Sequence, residues 1–150
     1  MPDEAPELGA AEAVFKLVPL AEQFIPTGAK FPNWVVFDPT SRDKNDAATR
    51  GTAVRLTVWD LASTEFQEAK VVWRHVGDSV AYGLGVVDVL NLRELCKRPR
   101  LRVVRDPEGG GGHAGHCGFE GLDHLPGEDR KSRKTLLDEI AQRCFELARL

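Results

Sequence analysis

A change of hydrophobic period along the chain is what most constrains its fold. From Ala53 to Asp60 the residues alternate, with Val54, Leu56 and Val58 on one side and Arg55, Thr57 and Trp59 on the other. That two-residue period belongs to a half-buried β-strand. From about 130 to 148, Leu136, Leu137, Ile140, Ala141, Cys144, Leu147 and Ala148 recur at spacings of three and four, as on an amphipathic helix. Asp129 near its start and Arg143 and Arg149 near its end complement the helix dipole. A chain carrying both periods buries its apolar faces by laying helices on a sheet.

The remaining segments extend this pattern. Val86, Val89, Leu90, Leu92 and Leu95 predict a helix that stops near Cys96, before Lys97-Arg98-Pro99-Arg100. Asn33–Phe37, Val71–His75 and Leu101–Val104 predict further strands, the first and last closed by Asp-Pro. Ala10–Val18 predicts a short helix ended by Pro19. Thr64-Glu65-Phe66-Gln67 fits a capping box opening a short helix to Ala69, with Phe66 inward. The predicted class is α+β: a small mixed or antiparallel sheet of about four strands, with helices packed on it and a C-terminal amphipathic helix. One globular domain over 1–150 is expected, with a flexible acidic segment at 1–9 and exposed loops at 40–52 and 107–113.

Composition narrows the function classes. A net charge of −3 argues against nucleic-acid binding by the whole surface. No apolar run approaches the roughly 20 residues that span a bilayer, and the acidic start does not resemble a signal peptide. Cys96, Cys117 and Cys144 are odd in number and widely spaced, which points to a reducing cytoplasm.

Chemistry-bearing residues concentrate at 109–124. Behind four glycines, Gly109 to Gly112, come His113, His116, Cys117, Glu120, Asp123 and His124. Imidazole, thiol and carboxylate bind metals and move protons near neutral pH. His113, His116 and His124 are candidate zinc ligands, with His75 a further one, although structural zinc usually takes more cysteine than is found here. His116 and His113 are the candidate catalytic residues, with Glu120 or Asp123 orienting an imidazole. His116 and Cys117 are adjacent and cannot pair across a strand, whose neighbours face opposite ways. The glycines fit neither phosphate-loop pattern and read as a connector or lid. Trp59, on the polar side of its strand, is a candidate partner contact, as are Arg98, Arg100 and Arg102 in the basic stretch 97–105. Arg130, Lys131, Arg133 and Lys134 form a second basic clump.

His116-Cys-Gly-Phe-Glu-Gly-Leu122, a polar stretch and a terminal amphipathic helix together resemble a pattern in short bacterial proteins of unassigned activity. Those proteins carry a histidine, a small residue, an alternating apolar residue and a Gly-Leu pair before the last helix. Leu101-Arg-Val-Val-Arg-Asp-Pro107 is similar to their strand ending in Asp-Pro. The likeness spans roughly fifty residues at the C-terminal end. It implies a bacterial origin, a compact single domain and a place in a multi-gene locus such as a defence or toxin system. It carries over no activity, and it singles out His116, then His113.

The sequence therefore favours an accessory or protein-interaction domain with a protein partner. The alternative is a metal-assisted or histidine-dependent hydrolase using the 113–124 cluster, with zinc as the metal. Nucleic-acid binding by a local basic patch comes third.

Overall fold

The computed structural model describes residues 5–150. The described residues form six strands in one antiparallel sheet and four α-helices, confirming the α+β class while adding two strands to the expected number. The strands are β1 (Ala13–Pro19), β2 (Arg55–Asp60), β3 (Ser79–Gly85), β4 (Arg102–Arg105), β5 (His116–Glu120) and β6 (Phe145–Arg149). They lie in the order β4-β5-β2-β1-β3-β6. The helices are α1 (Ser41–Arg50), α2 (Phe66–Trp73), α3 (Val86–Leu95) and α4 (Arg130–Gln142). Among the described residues no helix is long and apolar enough to cross a membrane.

Each sheet face carries its own core. On one face α3, α4 and a short 3-10 turn at Trp34–Phe37 cover Val14, Val18, Leu56, Val58, Val80, Tyr82, Leu84, Cys117 and Phe119. The Phe37 and Phe119 rings meet edge to face at 6.2 Å. On the other face Phe15, Leu17, Trp59 and Ala81 pack against Phe66, Ala69 and Trp73 of α2. Phe66 meets Phe15 at 4.9 Å, edge-on, as its inward placement required.

Several expectations give way to tertiary context. Ala13–Pro19 is a strand, not part of a helix, because its apolar residues are buried on both faces and pair with β3 at seven positions. A doubly buried strand shows no alternation, so periodicity alone cannot separate it from a buried helix. Trp34–Phe37 is a 3-10 turn capped by Asn33, whose side chain accepts from the Val35 amide. Val71–His75 is no strand; its first part completes α2. The capping box at 64–67 does not form: Glu65 occupies the N-cap without a side-chain bond, and the buried Thr64 hydroxyl has no hydrogen-bond partner. The last helix stops at Gln142, and Phe145–Arg149 turns back to line β3.

Residues 40–52 are not a loop but contain α1. Ala47 is its only buried residue, so no apolar period marks it. Its ends do: the Thr40 hydroxyl accepts from the Asp43 amide, Asp43 accepts from the Thr40 amide at 2.7 Å, and Gly51 closes it at φ 70°. At the N-terminus, residues 1–4 lie outside the described residues. Residues 5–9 are not loose: Leu8 is buried, its amide donates to the Val103 carbonyl at 2.9 Å, and Glu7 bridges to Val104.

The centre of the sheet departs from regular pairing. β2 pairs with β5 from Arg55 to Trp59, but with β1 only at Val14–Asp60 and Phe15–Trp59. Beyond Phe15 the two strands part, and a cleft opens between them beside α1.

Because α1 rests on its caps, Thr40→Ala should destabilise the protein by about 1 kcal/mol in guanidinium unfolding. No measurable change would mean that 40–52 does not depend on a helical cap.

Candidate functional site

The cleft has a volume of about 640 Å³. Its lining includes Asp43, Asp46 and Thr49 of α1 together with Trp59, Trp73, His116, Gly109 and Gly110. Lys16 and Thr57 lie where β1 and β2 diverge. Three features singled out in the sequence thus converge: His116, Trp59 and the first half of the glycine run. Lys16, Thr57 and Asp106 went unnoticed. The lone charge inside the apolar run Ala13–Val18 was a usable signal for Lys16.

His116 is 3% exposed and fully engaged. Its Nδ1 faces the Asp106 carbonyl at 2.6 Å, so Nδ1 carries the proton and donates. Nε2 then accepts from the Thr57 hydroxyl, at 3.2 Å. Burial lowers the pKa of His116 from its usual value, and the Asp106 carbonyl and carboxylate offset only part of that effect. His113 is half-buried; its Nδ1 accepts from the Gly115 amide at 3.0 Å, leaving Nε2 to donate to Glu68 of α2 at 2.8 Å. The two imidazoles meet the Trp59 ring edge-on, at 5.4 Å for His113 and 5.0 Å for His116.

Behind His116 runs a chain of buried charges. Arg50 of α1 grips both Asp106 carboxylate oxygens, one at 3.0 Å. Arg55 reaches Asp106 at 3.3 Å and Glu120 at 2.8 Å, and Arg102 reaches the other Glu120 oxygen at 2.7 Å. Burial raises the pKa of Asp106, but the Arg50 hydrogen bonds and the nearby Arg55 charge outweigh it, and the carboxyl stays below its usual range. Gly118 lets this chain cross β5, since a Cβ there would sit 2.6 Å from the Arg55 side chain.

The 107–113 segment is not a free loop. Pro107–Gly110 is a 3-10 turn capped by Asp106, and Gly110 is buried. A Cβ on Gly110 would lie 2.5 Å from the His116 Cβ, so this glycine is there to let the turn close over the imidazole.

The zinc-ligand set does not assemble. His124 is exposed on another loop, its Nε2 at 2.8 Å from the Glu128 carbonyl. His75 stacks on Trp73 instead, with ring centres 4.6 Å apart. Among the described residues, no group of three or more His, Cys, Asp or Glu side chains is arranged to hold a metal ion. Cys117 faces the opposite core, as the strand geometry required, and burial pushes its thiol up to about 12.

The expected contact residues are mostly spent inside the fold. Trp59 is 2% exposed and belongs to the second core rather than the surface. Trp59 does lie on the Arg55–Thr57 side of β2, but that side of the sheet is covered too. Arg98 is buried, paired with Glu128 and donating to the Gly121 carbonyl at 3.0 Å. Arg102 is tied to Glu120; Arg100 is exposed. In the second clump Arg133 pairs with Asp38 at 2.7 Å.

Comparisons with protein-family models, curated proteins and solved structures find no match to this chain.

Because the folded state disfavours protonated His116, the unfolded chain takes up that proton first as the pH falls below 6.5. This contribution to stability is complete above that value and is lost below it, down to the lowered folded pKa. The urea midpoint should therefore decline between about pH 7 and pH 5, and His116→Gln should flatten the decline. Equal slopes in the two proteins would show that His116 is not the group responsible.

Proposed function

We propose that this protein is a cytoplasmic accessory binding domain whose recognition element is the cleft between β1, β2 and α1. The observation that carries this reading is the opening itself, about 640 Å³ at the centre of an otherwise paired sheet. Small-molecule sites have volumes of roughly 300–1,000 Å³ and mix aromatic walls with a few placed polar groups. Trp59, Trp73 and Phe24 supply the first here, and Lys16, Asp43, Thr57 and Asn45 the second. The unpaired Cys96, Cys117 and Cys144 fit a reducing compartment. The likeness of the C-terminal third to short bacterial proteins fits an accessory role within a multi-gene locus, beside a protein partner encoded nearby. Nucleic-acid binding has the least support, since Arg98, Arg102, Arg105 and Arg133 are bonded to carboxylates.

A fragment screen followed by amide chemical shifts tests the reading. Binders should perturb Lys16, Asp43 and Thr57, and Thr49→Trp, which fills the cleft from α1, should weaken them at least tenfold without changing Tm. Shifts that map elsewhere, or affinity untouched by Thr49→Trp, would remove the cleft as the binding element.

One arrangement supports a histidine-dependent hydrolase as second reading. The Thr57 hydroxyl donates to a neutral His116 that is oriented by the Asp106 carbonyl, and Thr57 and His116 both line the cleft. A hydroxyl bonded to a base whose other nitrogen is held is the layout of an activated nucleophile. Hydrolysis of an activated ester such as p-nitrophenyl acetate should then disappear in Thr57→Val; a rate equal to that of the parent protein ends this reading.

A further inference from the structure

Lys16 is the one lysine that lines the cleft. It sits at the first position where β1 leaves β2, on the sheet face that carries Val14 and Val18. Its stem is partly buried, and its ammonium donates one hydrogen bond, to the Thr57 carbonyl at 3.2 Å. Among the described residues no carboxylate lies within 4.0 Å of it to form an ion pair. Asp43 of α1 acts on it only at longer range, and its cross-strand neighbour is Tyr82. Val18, Val36, Leu56 and Phe24 make the surrounding wall apolar. Among the described residues the Thr57 carbonyl is thus the one hydrogen-bond partner of an ammonium that can make three such bonds.

An ammonium so placed has two uses. It can receive an anion, or it can give up a proton and act as an amine. The lining offers an anion little: Asp38 is paired with Arg133 and Asp46 with Arg50, and the remaining carboxylate, Asp43, offsets Arg42. An approaching carboxylate or phosphate therefore meets no positive field beyond Lys16 itself. The apolar wall and the missing counter-ion favour the amine, and burial indeed holds the Lys16 pKa down to about 8.

We propose that Lys16 captures an uncharged, aromatic-bodied aldehyde in the cleft as a reversible imine. The Nζ lone pair forms a bond to the carbonyl carbon, and the carbonyl oxygen departs as water with the two protons lost from nitrogen. Nothing is oxidised or reduced, so no co-reactant is needed. The aryl body lies against Phe24, on the same sheet face as Lys16, which gives the selectivity that a surface lysine lacks. This inference rests on the cleft being a binding element.

The test is reductive trapping of the whole protein with benzaldehyde and cyanoborohydride near pH 7, read by peptide mass spectrometry. Lys16 should be benzylated at least tenfold faster than exposed lysines such as Lys30 and Lys44, and faster with benzaldehyde than with anionic glyoxylate. Lys16→Met and Lys16→Arg, the second of which keeps the charge but forms no imine, should both lose the fast label and keep the parent circular dichroism. Binding of benzyl alcohol, which fits the cleft but cannot form an imine, is followed in parallel by Trp fluorescence. If benzyl alcohol binds while Lys16 labels no faster than Lys30, the imine is wrong and the cleft stands. If neither ligand engages the cleft, both fall.

Discussion

The carboxylate of Asp106 is the point on which the site side of this protein depends. It takes Arg50 from α1 and Arg55 from β2, while its backbone carbonyl takes His116 from β5 and its backbone amide donates to the His116 carbonyl at 2.9 Å. One residue at the end of β4 therefore fixes a helix, a neighbouring strand and an imidazole. Removing a partner from such a buried pair typically costs about 3–5 kcal/mol, because the other charge is left unanswered. The glycines follow from the same arrangement. Gly110 and Gly118 are empty where the His116 ring and the Arg55 stem must pass, and Gly109 lies against the Asp106 carboxylate, so the first half of the glycine run serves packing around Asp106.

The two sheet faces solve their burial differently, and the site follows from the difference. The α3 and α4 side is a broad apolar layer from Leu8 to Cys144. The other side has a small apolar patch under α2 and, past Trp59, the chain of arginines and carboxylates. Trp59 joins them, buried against Phe15 and Leu17 while its ring edge faces His113 and His116. A polar cluster built this way is closed: both histidines have both ring nitrogens occupied within the fold. The Lys16 ammonium, in the cleft that His116 also lines, makes a single hydrogen bond, to the Thr57 carbonyl.

What could be read from the sequence depended on how local the cause was. β2, α3, β4 and the start of α4 announce themselves by period or by Asp-Pro and cap signals, and they lie close to where those signals put them. β1 and β3 are buried on both faces and lose their alternation. α1 keeps only its caps, since nearly every side is solvated. Phe145–Arg149 continues the 3–4 spacing of α4, yet pairs with β3, because an open strand edge offers backbone partners that a frayed helix end cannot. The candidate site divides in the same way. Clustering in sequence singles out His116 with His113 and His124, but only His113 stays beside it in space, against Trp59, while His124 turns to the Glu128 carbonyl. Arg50 and Asp106 meet across 56 residues of sequence and Arg55 and Glu120 across 65, and no local pattern encodes such a meeting.

The split between β1 and β2 carries the functional argument furthest. A net backbone hydrogen bond is worth about 1 kcal/mol, so strands that could stay in register gain by doing so. Here they separate after two pairs, and the Thr57 carbonyl is met by a lysine side chain rather than by a strand. Lysine is an expensive choice for that position: its charged head is costly to bury, whereas valine, as at Val14 and Val18 beside it, would suit the same sheet face. A closed sheet with an apolar residue at position 16 would satisfy every local rule that β1 otherwise obeys. Where one element breaks the rules its neighbours keep, the gain is expected in function rather than stability. Under the proposed reading the working part of the molecule is the opening of the sheet, with His116 among the residues that line it.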